Sequence, residues 1–306
     1  MPHTETVKLI PNTGWDERIL VCRNGTLVNV FIVVTARYVV IVDTLINPAT
    51  AQRLVDYAQT YLPGRQLLVI NTHADYDHAW GNQLFAGPRA PVPAPILAHR
   101  MAAARLGAPE TAQELAEMQA KEPAIFGPVV LTKPTITFDT ALTIGGGDLT
   151  LELFPTPGHT PDHIAIYVPE IRTLLAGDAA ELPFPFAHTA DGLPQMRASL
   201  AALAKLKATT VLYCHAPGET GPRLLRDNLA YFDALEAACR AALAQNPGLD
   251  PDQMDDLAAA LNCAYADVTP RGGAWDEVDS FYRTEGHAEQ LRMMLAWLRA
   301  SGQDQA

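Results

Sequence analysis

The chain has 306 residues, a formal net charge of −12, and 48% hydrophobic against 18% charged residues. That composition is enough to bury a sizeable core in one large layered domain plus embellishments. The acidic balance, with no Lys/Arg run longer than two residues, argues against nucleic-acid binding, because phosphate neutralisation needs basic clusters. No apolar run approaches the roughly 18 residues of a membrane span. The start Met1-Pro2-His3-Thr4-Glu5-Thr6 lacks a basic segment followed by an apolar one, so a cytoplasmic protein without a membrane partner is expected. Cys22, Cys214, Cys239 and Cys263 form no CxxC pair. Cys214 adjoins His215, but successive strand residues face opposite ways, so it reads as a core thiol.

In chain order, the first third is strand-rich, near 19–22, 26–34 and 38–43. Asn47-Pro48 opens a helix to about Tyr61, and Pro63-Gly64 stops it. A strand over 66–71, a helix from Ala79 and a strand near 95–98 follow, an alternation that suggests a layered α/β half. Residues 99–133 form a helical insertion, with helix formers over 101–106 and 112–121 separated by Gly107 and Pro109. The insertion either lies over a cleft, offering Met118, Ile125 or Phe126 to a substrate, or packs against the sheet. Strands resume near 135–138, 141–145, 149–154, 163–168 and 172–176, then a helix over 194–206 and a strand over 209–214. Gly145-Gly146-Gly147 precedes a strand, not a helix, and reads as a hairpin turn. From Gly221 the chain turns helical, with Leu224, Leu225, Leu229, Phe232, Leu235 and Ala238 at helical spacing. Asn246-Pro247-Gly248 breaks the run; 250–261 reads as a second helix, 270–273 as a loop, 285–300 as a final helix, and the polar tail after Ser301 as frayed.

The chemistry concentrates in Asn71-Thr72-His73-Ala74-Asp75-Tyr76-Asp77-His78, which places two imidazoles and two carboxylates just after an apolar run. Such residues are ligands that zinc, iron and manganese accept. The plain alternative is a polar turn with Asp75 or Asp77 capping a helix. Three more ligand-type residues each follow a strand-like run: His159 in Pro157-Gly158-His159, Asp178 in Gly177-Asp178, and His215 after 210–214. Strands lying side by side bring such ends together, the usual place for a site in layered α/β proteins.

The ordered set His73-x-Asp75-x-Asp77-His78, then His159, Asp178 and His215, resembles the metallo-β-lactamase-fold hydrolases, whose hallmark is His-x-His-x-Asp-His followed by a His, an Asp and a His. Val42-Asp43-Thr44, Pro157-Gly158-His159-Thr160-Pro161 and Ala176-Gly177-Asp178 extend the likeness, which spans roughly residues 18–230. The resemblance implies an α/β, four-layer αββα sandwich over residues 1–220, and the helical spacing beyond it makes 221–306 an integral helical extension of the same domain. The resemblance also implies two divalent ions, zinc first and iron or manganese as alternatives. Metal one falls to His73, Asp75 and His159, metal two to Asp77, His78 and His215, and Asp178 bridges them. Asp75 departs from the hallmark, which has His there. The swap makes the centre more electron-rich and shifts it toward harder ions, as in the flavodiiron branch, which carries a Glu in that slot. Alternatively, Asp75 is no ligand and metal one is weak or absent.

Asp43 resembles the family's carboxylate that orients a ligand or the His-rich loop, or else caps a strand. His163 is expected in a supporting role, and His188 as a pocket-wall proton donor or an exposed loop residue. Tyr76 either lines the cleft or packs beneath it. His99 is expected to begin a helix, and His3 and His287 to lie on the surface. The implied reaction is hydrolysis of a small-molecule ester, thioester, lactone, amide or phosphoester by a bridging hydroxide, with Asp77 orienting the nucleophile or taking its proton. The basic substrate-binding residues of a glyoxalase II tail are not recognisable. An iron-dependent oxidoreductase of the same fold, either a dioxygenase or a di-iron O₂/NO reductase without its flavin domain, is the alternative, and a non-catalytic metal-binding scaffold the third. A homodimer and a monomer both fit the sequence.

Overall fold

The computed structural model describes residues 3–270 and 279–303. The chain divides into two compact units: Met1–Pro155, Asp162–Gly177 and Ala208–His215 form the first, and Thr156–Pro161, Asp178–Lys207 and Ala216–Ala306 the second. Residues 156–161 and 178–207 group with the C-terminal helices.

The first unit contains two mixed sheets. In the first, β1 (Val7–Ile10), β2 (Ile19–Asn24), β3 (Val28–Val34) and β4 (Tyr38–Val42) form an antiparallel meander, and β5 (Gln66–Ile70), β6 (Ile96–His99) and β7 (Ile136–Phe138) continue it in parallel. The second runs antiparallel through β8 (Leu142–Gly145), β9 (Thr150–Pro155), β10 (Ile164–Val168) and β11 (Thr173–Leu175), and adds β12 (Thr210–Leu212) in parallel. Every residue of β3 is buried, as expected of a continuously apolar strand covered on both faces. Phe31, Ile32, Val40 and Ile41 share one core with Leu151, Leu153, Ile164 and Ile166 of the second sheet.

Helix α1 (Pro48–Ala58) starts where the sequence places it. Asn47 accepts from the Thr50 N–H, Thr50 returns a bond to the Asn47 backbone, and Pro48 occupies the first turn. The helix expected from Ala79 is instead the short α2 (Tyr76–Ala79), which ends there. In the insertion, α3 (Arg100–Arg105), α4 (Pro109–Lys121) and α5 (Pro123–Phe126) follow, with His99 capping α3 as expected. Phe126 is fully buried beside Trp80 and Ala102, with Met118 and Ile125 packed on the same cluster. These apolar side chains therefore serve packing, and Phe126 is not available to a substrate.

Backbone bonds join the two sheets where the candidate site residues lie. The Ile164 N–H donates to the Thr72 carbonyl, and the Asn29 N–H to that of Cys214. The Cys214 N–H in turn reaches the Gly177 carbonyl. Cys214 is a buried core residue. Gly177 has φ +56, and a Cβ there would come within 2.5 Å of His163 Nε2, so both conformation and space call for glycine.

The second unit contains α6 (Gly192–Lys205), α7 (Arg223–Gln245), α8 (Leu257–Ala260), α9 (Tyr265–Val268) and α10 (His287–Gln303), and α7, α9 and α10 contribute rings to an aromatic cluster around the buried Phe184. Phe184 stacks on Tyr231 at 4.3 Å. His287, expected on the surface, is 2% exposed; it bonds the Tyr231 hydroxyl at 3.0 Å and the Cys263 carbonyl at 2.8 Å. Helical spacing did not separate it from its exposed neighbours. The helix expected over 250–261 is broken: a 3₁₀ turn covers Pro251–Gln253, and Asp256 caps α8 by accepting from the Ala259 N–H. The expected loop lies outside the described residues beyond Pro270. Among the described residues, no helix is long and apolar enough to cross a membrane.

Replacing Gly177 by Ala is expected to lower the unfolding free energy by about 1–3 kcal/mol. An unchanged denaturant midpoint would contradict the tight approach of His163.

Candidate metal centre

Asp43 immediately follows β4, and the ligand-rich loop follows β5, its parallel neighbour in register through Val42 and Ile70. Asp43 is fully buried, with φ 68 in the left-handed region that a non-glycine residue rarely adopts. Its carboxylate accepts the Thr72 N–H at 2.7 Å, the Thr72 hydroxyl at 2.8 Å and His78 Nδ1 at 2.9 Å. Burial pushes the Asp43 carboxyl up, while His78 and Thr72 work against that shift. Thr72 Oγ1 also lies 2.9 Å from His73 Nδ1. One carboxylate thus orients His78 directly and His73 through a hydroxyl.

The Nε2 atoms of His73, His78 and His215 turn toward carboxylates. His73 Nε2 lies 3.6 Å from Asp75 Oδ2, His78 Nε2 3.7 Å from Asp77 Oδ2, and His215 Nε2 3.3 Å from the same Asp77 oxygen. His215 Nδ1 is held at 2.8 Å by the Leu27 carbonyl. Asp77, His78 and His215 form a compact donor group. His163 is fully buried, its ring centroid 5.1 Å from that of His73. Tyr76 packs edge-on against Trp80, Phe126 and His3. Burial, followed by the charge of Asp77, pushes its phenol up, so Tyr76 is no base near neutral pH. His3, expected on the surface, bonds Glu122 at 2.7 Å and is only 15% exposed in its side chain.

Asp75 occupies the N-cap position of α2 but makes no side-chain cap bond. Its Oδ1 instead accepts from Arg105 at the end of α3, at 2.6 Å, and a second arm of the same guanidinium reaches Asp162 at 2.6 Å. Burial opposes the Arg105 charge; the Asp75 and Asp162 carboxylates outweigh it and hold the guanidinium raised. Sequence reasoning missed Arg105 and Asp162, since nothing in a helix-forming stretch marks one arginine as a partner of a loop thirty residues earlier.

In the second unit, His159 Nε2 lies 3.6 Å from Asp178 Oδ2, and His159 Nδ1 is held by the Phe186 carbonyl at 2.7 Å. Glu181, 1% exposed and also missed, completes a donor group with His159 and Asp178. Its Oε2 accepts from the Tyr282 hydroxyl at 3.0 Å, and its backbone N–H donates to Asn228 of α7. Glu181 Oε1 lies 3.8 Å from His159 Nδ1, on the side opposite the Nε2 contact. His188 is exposed and lies edge-on to His159, with centroids 4.9 Å apart.

All four imidazoles follow one pattern: Nδ1 bonded to a protein group, Nε2 facing a carboxylate at 3.3–3.7 Å. Those separations are long for hydrogen bonds. They lie close to the spacing of two ligand atoms on one ion, since bonds of about 2.1 Å at a tetrahedral angle put such atoms roughly 3.4 Å apart. An Nδ1–H fixed by an acceptor is also how metal-ligating imidazoles are oriented. The donor chemistry therefore fits divalent ions.

The family model of the metallo-beta-lactamase superfamily matches residues 23–215. The chain belongs to this superfamily. Among solved structures, a metallo-beta-lactamase from Pontibacter korlensis superposes with a TM-score of 0.55 at 20% identity, covering 74% of this chain and 99% of that one. A metallo-beta-lactamase family protein from Thermus thermophilus gives 0.60 at 19%, over 97% and 94%. A double mutant of the sec-alkyl sulfatase PisA1 gives 0.66 at 18%, over 94% of this chain and 49% of that one. These likenesses establish the fold expected from the sequence, two mixed sheets with helices, and the last two extend through the C-terminal helices. Curated protein sequences give no match. The protein is thus a metallo-β-lactamase-superfamily metallohydrolase carrying buried His/Asp clusters.

Thr72→Val keeps the side-chain volume but removes the hydroxyl between Asp43 and His73. Metal affinity, measured by chelator competition, is expected to fall about 10–100-fold; an affinity equal to wild type would rule out the relay.

Proposed function

We propose that the protein hydrolyses a small-molecule ester, thioester, lactone, amide or phosphoester at a dinuclear metal centre. His73, Asp75, Asp77, His78, His159, Asp178 and His215 would hold the ions, zinc in the first instance. The observation that carries this reading is the shared pattern of the four imidazoles, each fixed at Nδ1 with Nε2 toward a carboxylate. Support for assigning both donor sets to one centre comes from the superfamily match, which spans all seven positions.

When bound, the ions supply an activated water and polarise the scissile bond. Asp77, with one oxygen near both His78 and His215, orients the attacking water and takes its proton. Asp43 and Thr72 keep His73 and His78 in the tautomer that leaves Nε2 for a ligand role. The exposed ring of His188 beside His159 serves as proton donor to the leaving group. A second reading, an iron-dependent oxidoreductase, draws on one observation: the carboxylate of Asp75, not an imidazole, faces His73, and oxygen donors favour harder ions.

Elemental analysis of protein expressed without added metal separates the two readings. About two zinc ions per chain, with turnover of ester, thioester or lactone substrates that chelation abolishes and zinc restores, is the expected result. Iron or manganese with oxygen consumption would favour the second reading, and no metal would overturn both. In the hydrolase, Asp77→Asn is expected to lower kcat by about 10²–10⁴-fold; full activity would remove Asp77 from the chemistry.

A further inference from the structure

The slot that the superfamily's motif fills with an imidazole holds Asp75 in this chain. The two groups differ in more than charge. An imidazole offers one nitrogen in a fixed direction, whereas a carboxylate offers two oxygens and swings between one-point and two-point attachment. A carboxylate in an imidazole's place therefore needs something to fix which oxygen it presents.

Arg105 meets that need. One arm of its planar guanidinium bonds Asp75 Oδ1 at 2.6 Å, and the other bonds Asp162 Oδ1 at 2.6 Å. The Asp162 side chain is fully buried, so it is an immobile anchor for the guanidinium. The oxygen turned toward His73 Nε2, at 3.6 Å, is the other one, Oδ2. Asp75 is also withdrawn from capping α2, the local role its position offers. The rigid fork of arginine suits this two-carboxylate bridge, whereas lysine brings a point charge without the fork.

We propose that Arg105 is a positioning residue that makes Asp75 a one-oxygen ligand, so that the carboxylate reproduces the single-point attachment of the imidazole it replaces. The proposal rests on the metal-centre reading and adds to it a determinant of denticity, contributed by the helical insertion. It also gives the insertion a task that its buried apolar residues do not provide.

Cobalt(II) tests this directly, because its visible d–d absorption weakens as coordination number rises. The full chain is loaded with cobalt as wild type, Arg105→Gln, Arg105→Lys, Asp75→His and the Asp75→His/Arg105→Gln double variant, and affinity is read by chelator competition. Arg105→Gln is expected to bind cobalt about tenfold more weakly with a weaker visible band, and Arg105→Lys to fall between it and wild type. In the Asp75→His background, Arg105→Gln is expected to cause no loss, because an imidazole has no second oxygen to restrain. An unchanged spectrum and affinity in Arg105→Gln, or an equal loss in both backgrounds, would overturn the proposal. Should Arg105→Gln fail to fold, as shown by thermal melting, Arg105→Lys carries the same spectral test, and a wild-type spectrum and affinity there would count against the fork. Wild-type protein that takes up no cobalt would instead overturn the metal-centre reading itself.

Discussion

The buried carboxylate of Asp43 is the constraint on which the first donor set depends. It sits in a left-handed backbone conformation that costs about 1–3 kcal/mol for a non-glycine residue. Its carboxyl group is also fully buried, which is tolerated only with bonding partners on its oxygens. Thr72 and His78 provide them. The same bonds that satisfy Asp43 orient the two imidazoles, so burial of this carboxyl and orientation of His73 and His78 are one event. Around it the Thr44 N–H donates to the His78 carbonyl and the Gly81 N–H to that of Leu45, tying α2 to the turn that presents Asp43.

A comparable constraint operates in the second unit by other means. The segment that carries Asp178 and Glu181 has little regular structure of its own, and C-terminal helices grip it through amide side chains. Asn228 of α7 accepts from the Glu181 N–H and donates to the Glu181 and Pro183 carbonyls. Gln290 of α10 makes a matching pair of bonds with the Ala187 backbone. An irregular buried segment must satisfy its backbone groups somewhere, and here helices distant in sequence do so. The C-terminal helices thus help to build the surroundings of His159.

The fold was legible because apolar runs read as strands, each with a candidate donor just beyond its end, and because Asn47-Pro48 and similar signals act locally. The supporting residues were less so. Asp43 and His163 stood out only through the family resemblance; Thr72, Arg105, Asp162 and Glu181 carry no local mark, since their partners lie from one to more than fifty residues away. His287 was misplaced for the same reason: its burial depends on Tyr231 and Cys263, contacts that no helical periodicity encodes. The helix expected over 250–261 failed through competition, because Asp256 caps a new helix instead of continuing an old one.

The acceptors behind the four imidazoles differ in kind. His159 and His215 are held by the main-chain carbonyls of Phe186 and Leu27, His73 and His78 by the side chains of Thr72 and Asp43. A carbonyl persists through any substitution that preserves the backbone, whereas a hydroxyl or carboxylate vanishes with a single codon change. Sequence drift therefore has little purchase on half of the centre and direct access to the other half, where this chain also carries its unusual Asp75. Divergence in metal preference within such a scaffold would accumulate on that side first.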